Sequence, residues 1–276
     1  MKTLKLSVVL ATHNEAANLG RCLKAIIGLA DEIVIIDGRS TDDTVKIAKK
    51  FEARVTLTDN LPNFHIMKNM AIDAAKGEWV LQLDADEIVS PELAREIQST
   101  INDERSTMNG YWLNRKNWFL DRFLTKGGQY PDPTLRLYRR GFGRLPARDV
   151  HEQAVVKGPT GYLKSELLHY RDTSFAKYLD GFNLYTSFIA GQMQTQKLKF
   201  NILNVLLYLC LKPLSTFIKI YFRHRGYVDG FPGFVFALFS GVVHAVSYIK
   251  YWQITKYPEN SSFPLFDKEG DQRGSS

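Results

Sequence analysis

Asp84-Ala85-Asp86 stands where the apolar run Trp79-Val80-Leu81-Gln82-Leu83 stops. Two carboxylates two residues apart at the exit of a strand can face a hard divalent cation and the oxygens of a diphosphate. Oxygen ligands suit Mg²⁺ or Mn²⁺, and Mg²⁺ is usually held by one or two carboxylates together with substrate phosphates. Acid pairs also occur in ordinary surface turns, so the neighbouring elements have to decide between the two readings.

Those elements alternate. Leu6-Ser7-Val8-Val9-Leu10 reads as a short buried strand, and Leu19, Cys22, Leu23, Ile26 and Ile27 then recur at helical spacing along one face. Ile33-Val34-Ile35-Ile36 is a second buried strand, ending at Asp37-Gly38. Ser40 and Asp43 form a capping box for a helix through about Phe51. Val55-Thr56-Leu57 is a weaker strand, His65 to Lys76 a helix stopped by Gly77, and the strand bearing Asp84 follows. Ser90-Pro91-Glu92 opens another helix, with a capping side chain and a proline in the first turn. Strands and helices alternating in this way predict right-handed βαβ units, hence an α/β fold with a mostly parallel sheet flanked by helices. Ligands of such sheets bind beyond the carboxyl ends of the strands, so Thr12, Asp37 and Asp84/Asp86 should converge on one crevice.

From about residue 109 to 170 the texture changes to shorter aromatic runs, Gly110-Tyr111-Trp112-Leu113 and Thr134-Leu135-Arg136-Leu137-Tyr138 among them. They predict β structure that extends the sheet and builds one side of the pocket. Residues 173–196 predict helix. The expected organisation is one domain over 1–196, in halves 1–108 and 109–196, a basic apolar helical region over 197–258 and a polar tail over 259–276.

The chain has 276 residues, 45% of them hydrophobic, which excludes general disorder. Its two cysteines, Cys22 and Cys210, have no metal-ligand spacing; a reducing compartment fits, and zinc does not. The amino-terminal apolar run is too short and too polar for a signal peptide, so a cytoplasmic location is expected. The net charge of +7 lies wholly within residues 197–256, which carry eight basic residues against the single acid Asp229. That stretch is also the most apolar. Basic residues beside apolar runs suit the anionic inner leaflet of a membrane rather than nucleic acid. Helices lying in the leaflet, a true span over the uncharged Phe231–Ile249, and a basic helical bundle buried in the protein remain alternatives.

Three blocks, Ser7 to Glu15, Ile35 to Thr44 and Ala75 to Glu87, resemble the signature of glycosyltransferase family 2. The resemblance implies a GT-A fold, a nucleotide-diphosphate sugar donor and inversion at the anomeric carbon. Val150-His151-Glu152 and Tyr227 to Phe234 resemble more narrowly the branch containing the lipopolysaccharide inner-core β-1,4-glucosyltransferase. Carried over, Thr12 and Glu15 would line the nucleoside site and Asp37 would accept from the uracil N–H. Asp84, beside Ala85, would face the ribose or the metal's water shell, and Asp86 would ligate the metal. Lys68 and Asn69 match a position where the family often has a polar donor contact.

An inverting transfer needs a base to take the acceptor hydroxyl's proton. Glu152 is the candidate, Asp149 its rival, and His151 reads as a packing neighbour. Arg136, Arg139, Arg140, Arg144 and Arg148 precede it, either as contacts to diphosphate or phosphorylated acceptor groups or as a solvated basic loop. The Gln-x-x-Arg-Trp block of processive synthases is absent, which favours addition of one sugar. The expected reaction is transfer of glucose from UDP-glucose to a lipid-linked saccharide such as the lipopolysaccharide inner core, at the cytoplasmic face of the inner membrane. A polyprenyl-phosphate glycosyltransferase, using a UDP- or GDP-sugar, is the alternative. Thr12-His13-Asn14-Glu15 stands where a nucleotidyltransferase or a dinucleotide oxidoreductase would have a glycine-rich loop.

Overall fold

A computed structural model describes residues 4–61, 63–146 and 153–257. The chain divides into two compact units, one of residues 1–125 and 129–171, the other of residues 126–128 and 172–276.

The first unit begins with β1 (Leu6–Thr12), α1 (Ala16–Ala25), β2 (Glu32–Asp37), α2 (Thr44–Lys50), β3 (Arg54–Leu57), α3 (Phe64–Ala74) and β4 (Trp79–Gln82). It continues with β5 (Glu87–Val89), α4 (Pro91–Ile101), β6 (Gly110–Phe119), β7 (Arg122–Phe123), β8 (Asp132–Arg139), β9 (Gly143–Arg144), β10 (Val155–Val156) and β11 (Thr160–Asp172). The main sheet runs β3-β2-β1-β4-β8-β6-β11-β5, with β7 paired to β6. Strands β3, β2, β1 and β4 are parallel, as the βαβ alternation predicts, and β8 joins β4 antiparallel. This is the expected α/β fold of GT-A type.

All of β1 and β4 is buried, because helices cover both faces. On one face Leu19, Cys22, Leu23 and Ile26 of the α1 region and Leu93 and Ile97 of α4 pack on Val8, Leu10 and Leu81. On the other, Met67, Ala71 and Ile72 of α3 pack on Val9, Ala11 and Val80. Two local expectations change. Ile27 lies past the end of α1 and is 68% exposed, so the apolar face stops at Ile26. The box expected of Ser40 and Asp43 is not formed: the Ser40 hydroxyl donates to Asp37, and Asp42 accepts from the Thr44 N–H at 3.0 Å instead. Ser90 does cap α4 as expected, accepting from the Leu93 N–H at 3.2 Å.

The second unit holds α5 (Phe175–Thr195), α6 (Ile202–Leu206), α7 (Lys212–Ile218) and α8 (Gly230–Lys256). A π-helical turn, Leu207–Leu211, joins α6 to α7, and another, Lys219–Arg223, follows α7, so Ile202–Arg223 is one continuous helix. That helix and Gly226–Lys256 are long and apolar enough to cross a membrane by length and composition, and the most apolar stretch of the first buries none of its residues. Helix α5 groups with these helices, so the boundary expected at 196 lies at its far end. Ala190 and Met193 of α5 form a core with Tyr248, Tyr251 and Ile254 of α8. Lys250 is held by the Asn183 carbonyl and the Thr186 and Ser187 hydroxyls at 2.6–2.8 Å. Gly233 is required by close packing, since a Cβ there would lie 2.0 Å from the Gly226 carbonyl oxygen.

One partly buried acid fastens the parallel strands. Glu32 accepts from the Ser7 hydroxyl and the Lys76 N–H, both at 2.5 Å, and from Arg54 at 3.2 Å. Partial burial raises its pKa, but these donors outweigh that, for a net depression. A depressed carboxylate stabilises above its unfolded pKa of about 4.3 and loses that contribution as pH falls through the folded value. Glu32→Gln should therefore cost about 1–3 kcal/mol at pH 7, with the difference from wild type shrinking below about pH 4. Urea unfolding at both pH values measures it.

Candidate active site

Three strand ends bring the site together. At the ends of β1 and β2, Thr12 and Asp37 are fully buried, and the Thr12 hydroxyl donates to Asp37 at 2.7 Å. The Ser40 N–H and hydroxyl add bonds of 2.8 and 2.7 Å to the same carboxylate. The loops beyond these strands are tied together: the Asn14 N–H donates to the Ser40 hydroxyl and the Thr41 N–H to the Asn14 side chain, both at 2.8 Å. Asn14 and Arg39 both sit at φ 55°, the left-handed region, so the loops hold specific shapes. Glu15 turns back into α1 and accepts from Asn18 at 2.9 Å.

At the end of β4, Asp84 lies between two cations. Lys68 on α3 contacts one carboxylate oxygen at 2.5 Å, and Arg136 donates to the other at 2.7 Å. Burial raises the Asp84 pKa, but Arg136 and Lys68 outweigh it and hold the carboxyl far below the usual range. Arg136 also donates at 2.7 Å to Glu87, which is wholly buried and accepts from the Asp84 N–H at 2.9 Å. The turn is thus fixed through both its side chain and its backbone. Arg136 reaches it because of a β-bulge: Tyr111 pairs with Leu137 but Trp112 with Leu135, leaving Arg136 as the extra residue. Ala85 is buried, and the thiol of Cys22 lies 3.6 Å from the Asp84 carbonyl oxygen.

Asp86 faces a residue that the sequence reading missed. His169 Nε2 lies 3.4 Å from its carboxylate, and His169 Nδ1 lies 2.7 Å from Asn117 Oδ1. Asn117 donates its amide N–H to Asp132 at 3.1 Å, which fixes its oxygen as the group facing the imidazole. His169 must then donate from Nδ1, and a neutral ring turns the Nε2 lone pair toward Asp86. An imidazole lone pair facing a carboxylate calls for a proton or a cation between them. The Asp86 carboxylate suits Mn²⁺ or Mg²⁺, the imidazole nitrogen favours Mn²⁺ of the two, and the Asn117 carboxamide holds the ring in the orientation a ligand would need. Burial raises the Asp86 pKa, and positive charge on the His169 side, a proton on Nε2, outweighs it to a net depression. No sequence spacing links the two. His169 arrives by antiparallel pairing of β11 with β5, opposite Glu87. Glu87 itself directly follows the acid triplet and was legible there.

Other expected residues do different work. Both ends of the Asn69 amide bond the Leu145 backbone, at 2.9 and 3.1 Å, so it braces the chain beside β9. Among the described arginines of the run, only Arg136 turns to Asp84 and Glu87. Arg139 pairs with Glu78 at 2.6 Å and lies over Trp79, Arg140 bonds the Gly77 carbonyl at 3.0 Å, and Arg144 pairs with Asp73 at 2.7 Å. Arg139 is a partly buried tie, while Arg140 and Arg144 make their contacts on the solvent-exposed surface. Arg148, Asp149, His151 and Glu152 lie outside the described residues.

A model of "Glycosyl transferase family 2" matches residues 7–155. A protein of Rickettsia typhi described as an uncharacterized glycosyltransferase is 30% identical over 245 residues, covering 84% of this chain and 81% of that protein. The lipopolysaccharide core biosynthesis glycosyltransferase LpsC of Rhizobium meliloti is 27% identical over 248 residues, covering 88% of this chain and 89% of LpsC. Among solved structures, S. aureus TarS 1–349 in complex with UDP-GlcNAc aligns over 96% of this chain and 95% of that chain, at 16% identity and a TM-score of 0.48. The chain belongs to glycosyltransferase family 2.

The Arg136–Glu87 pair gives a direct test. Arg136→Met would take away the nearer of the two cations of buried Glu87, leaving only Arg115 at 3.7 Å, and should cost about 3 kcal/mol in urea unfolding. The Glu87→Gln/Arg136→Met double variant should recover part of that loss. Strictly additive losses would contradict the coupling.

Proposed function

We propose that this enzyme transfers glucose from UDP-glucose, with inversion, to a lipid-linked saccharide such as the lipopolysaccharide inner core. The observation that carries the reading is the Asp86–His169 pair, oriented by Asn117 and set beside the Lys68–Asp84–Arg136 group. A divalent cation held by Asp86 and His169 would neutralise the charge developing on the leaving diphosphate. Lys68 and Arg136, paired with Asp84 and Glu87, hold the turn that carries Asp86 in place for that ion. Asp37 accepts one bond on Oδ1 and two on Oδ2, which leaves Oδ1 capacity for the N–H of a uracil edge. Thr12 orients that carboxylate, and Glu15 stands at the entry to α1.

Glu152 is proposed as the base that takes the acceptor's proton, on the family resemblance of Val150-His151-Glu152. The acceptor class is supported by likeness to a lipopolysaccharide core glycosyltransferase over 88% of this chain. Attachment to an anionic inner leaflet is supported by the exposed Ile202, Leu203, Leu211, Leu214 and Phe222, accompanied by Lys219 and Arg223.

The test is a transfer assay with a panel of UDP-sugars and truncated lipopolysaccharides, with Mn²⁺, Mg²⁺ or EDTA. UDP-glucose should be the working donor, and EDTA should abolish transfer; an unchanged rate in EDTA would remove the metal role of Asp86. Glu152→Gln should lower kcat by roughly 10²–10⁴ with UDP affinity retained. A near-normal rate in that variant on a polyprenyl phosphate would establish the lipid-phosphate alternative instead.

A further inference from the structure

On α1 and β11, beside the proposed metal pair, lies a cation with no role in the donor site. Arg21 is on the exposed side of α1, its guanidinium 5.2 Å from the centroid of the Tyr170 ring and 3.2 Å from the Asn18 side-chain oxygen. Among the described residues no carboxylate pairs with it. A guanidinium held in place by a ring and one amide keeps most of its donors for an incoming anion.

The ring beneath it belongs to the catalytic neighbourhood. Tyr170 follows His169, and its N–H donates to the Asp86 carbonyl at 2.9 Å. Trp118 follows Asn117, the residue that orients His169. Tyr170, Trp118 and Phe123 form a three-ring cluster with centroids 5.1–5.4 Å apart, all three partly exposed. The cluster is fixed in place. Trp118 pairs with Phe123 across β6 and β7, and its indole N–H donates to the Leu120 carbonyl at 3.1 Å. The two-residue turn between those strands holds Leu120 at φ 58°, the left-handed region that tight hairpin turns use, which fixes the register of the pair.

We propose that Arg21 and the Tyr170–Trp118–Phe123 cluster form an acceptor subsite for a sugar ring bearing a phosphate or carboxylate. The rings offer apolar faces to the C–H face of a pyranose, and Arg21 offers a bidentate contact to the anion. The cations at the donor diphosphate, Lys68 and Arg136, come from α3 and β8, so Arg21 is spare for the second substrate. The inference rests on the proposed glycosyltransferase reading and names the chemistry of its acceptor.

Calorimetry in the presence of UDP tests it, with three forms of a deacylated inner-core oligosaccharide: intact, dephosphorylated and carboxyl-reduced. Wild type should bind the intact form, and removal of one of the two anions should weaken binding roughly tenfold. Arg21→Ala should bind the intact form as weakly as wild type binds that depleted form, and should no longer discriminate. Arg21→Lys should recover part of the affinity. UDP affinity should be unchanged in both variants. Wild type indifferent to both anions, wild type that binds UDP but no oligosaccharide, or an Arg21→Ala variant that discriminates as before would overturn the proposal. Loss of UDP affinity in Arg21→Ala would also overturn it, by moving Arg21 to the donor. Failure of wild type to bind UDP at all would defeat the underlying donor reading, a separately recognisable result.

Discussion

The site depends on one partly buried carboxylate held between two cations. Asp84 sits at the exit of β4 with Lys68 on one oxygen and Arg136 on the other, while Glu87 holds its backbone N–H and the same arginine. Burying these charges separately would cost several kcal/mol each. Held together, each neutralises the next, and the turn carrying Asp86 is fixed without any ligand. Asp84 is consequently saturated by the protein's own cations, and Asp86 is the acid left facing His169.

That division of labour follows from how the sheet is assembled. Its parallel half delivers Thr12, Asp37 and Asp84 to strand ends in register, because β1 pairs with β2 on one side and with β4 on the other. The antiparallel half delivers Arg136 through a bulge in β8 and His169 through pairing of β11 with β5. Neither half holds a complete site. Short-range βαβ geometry sets the Thr12–Asp37 side, and long-range strand pairing sets the Asp86–His169 side.

The sequence carried the first kind of information well and the second poorly. Apolar runs ending in Thr12, Asp37 and Asp84 mark strand exits directly, since every residue of β1 and β4 is buried. His169 lies far along the chain from Asp86, and no local pattern distinguishes it from a histidine in an ordinary strand. The arginine run shows the same limit. Composition groups Arg136, Arg139, Arg140 and Arg144, but a bulge sends one to the acids and ordinary pairing sends the others to Glu78, Gly77 and Asp73. Asn69 was misplaced because its helix was read correctly while its partner, the Leu145 backbone, could not be seen from sequence. In the second unit, charge and apolarity marked the helical region, but the grouping of α5 with it depends on the packing of Ala190 and Met193 against α8.

The most direct measurement on the central claim is Mn²⁺ binding followed by electron paramagnetic resonance, with and without UDP. If Asp86 and His169 share the ion, wild type binds Mn²⁺ tightly only when UDP is present. Asp86→Asn and His169→Ala should each lose that UDP-dependent site, while Asn117→Ala, which frees the His169 ring to turn, should weaken it by roughly 10–100-fold. Wild-type Mn²⁺ binding that persists in both Asp86→Asn and His169→Ala would contradict the assignment.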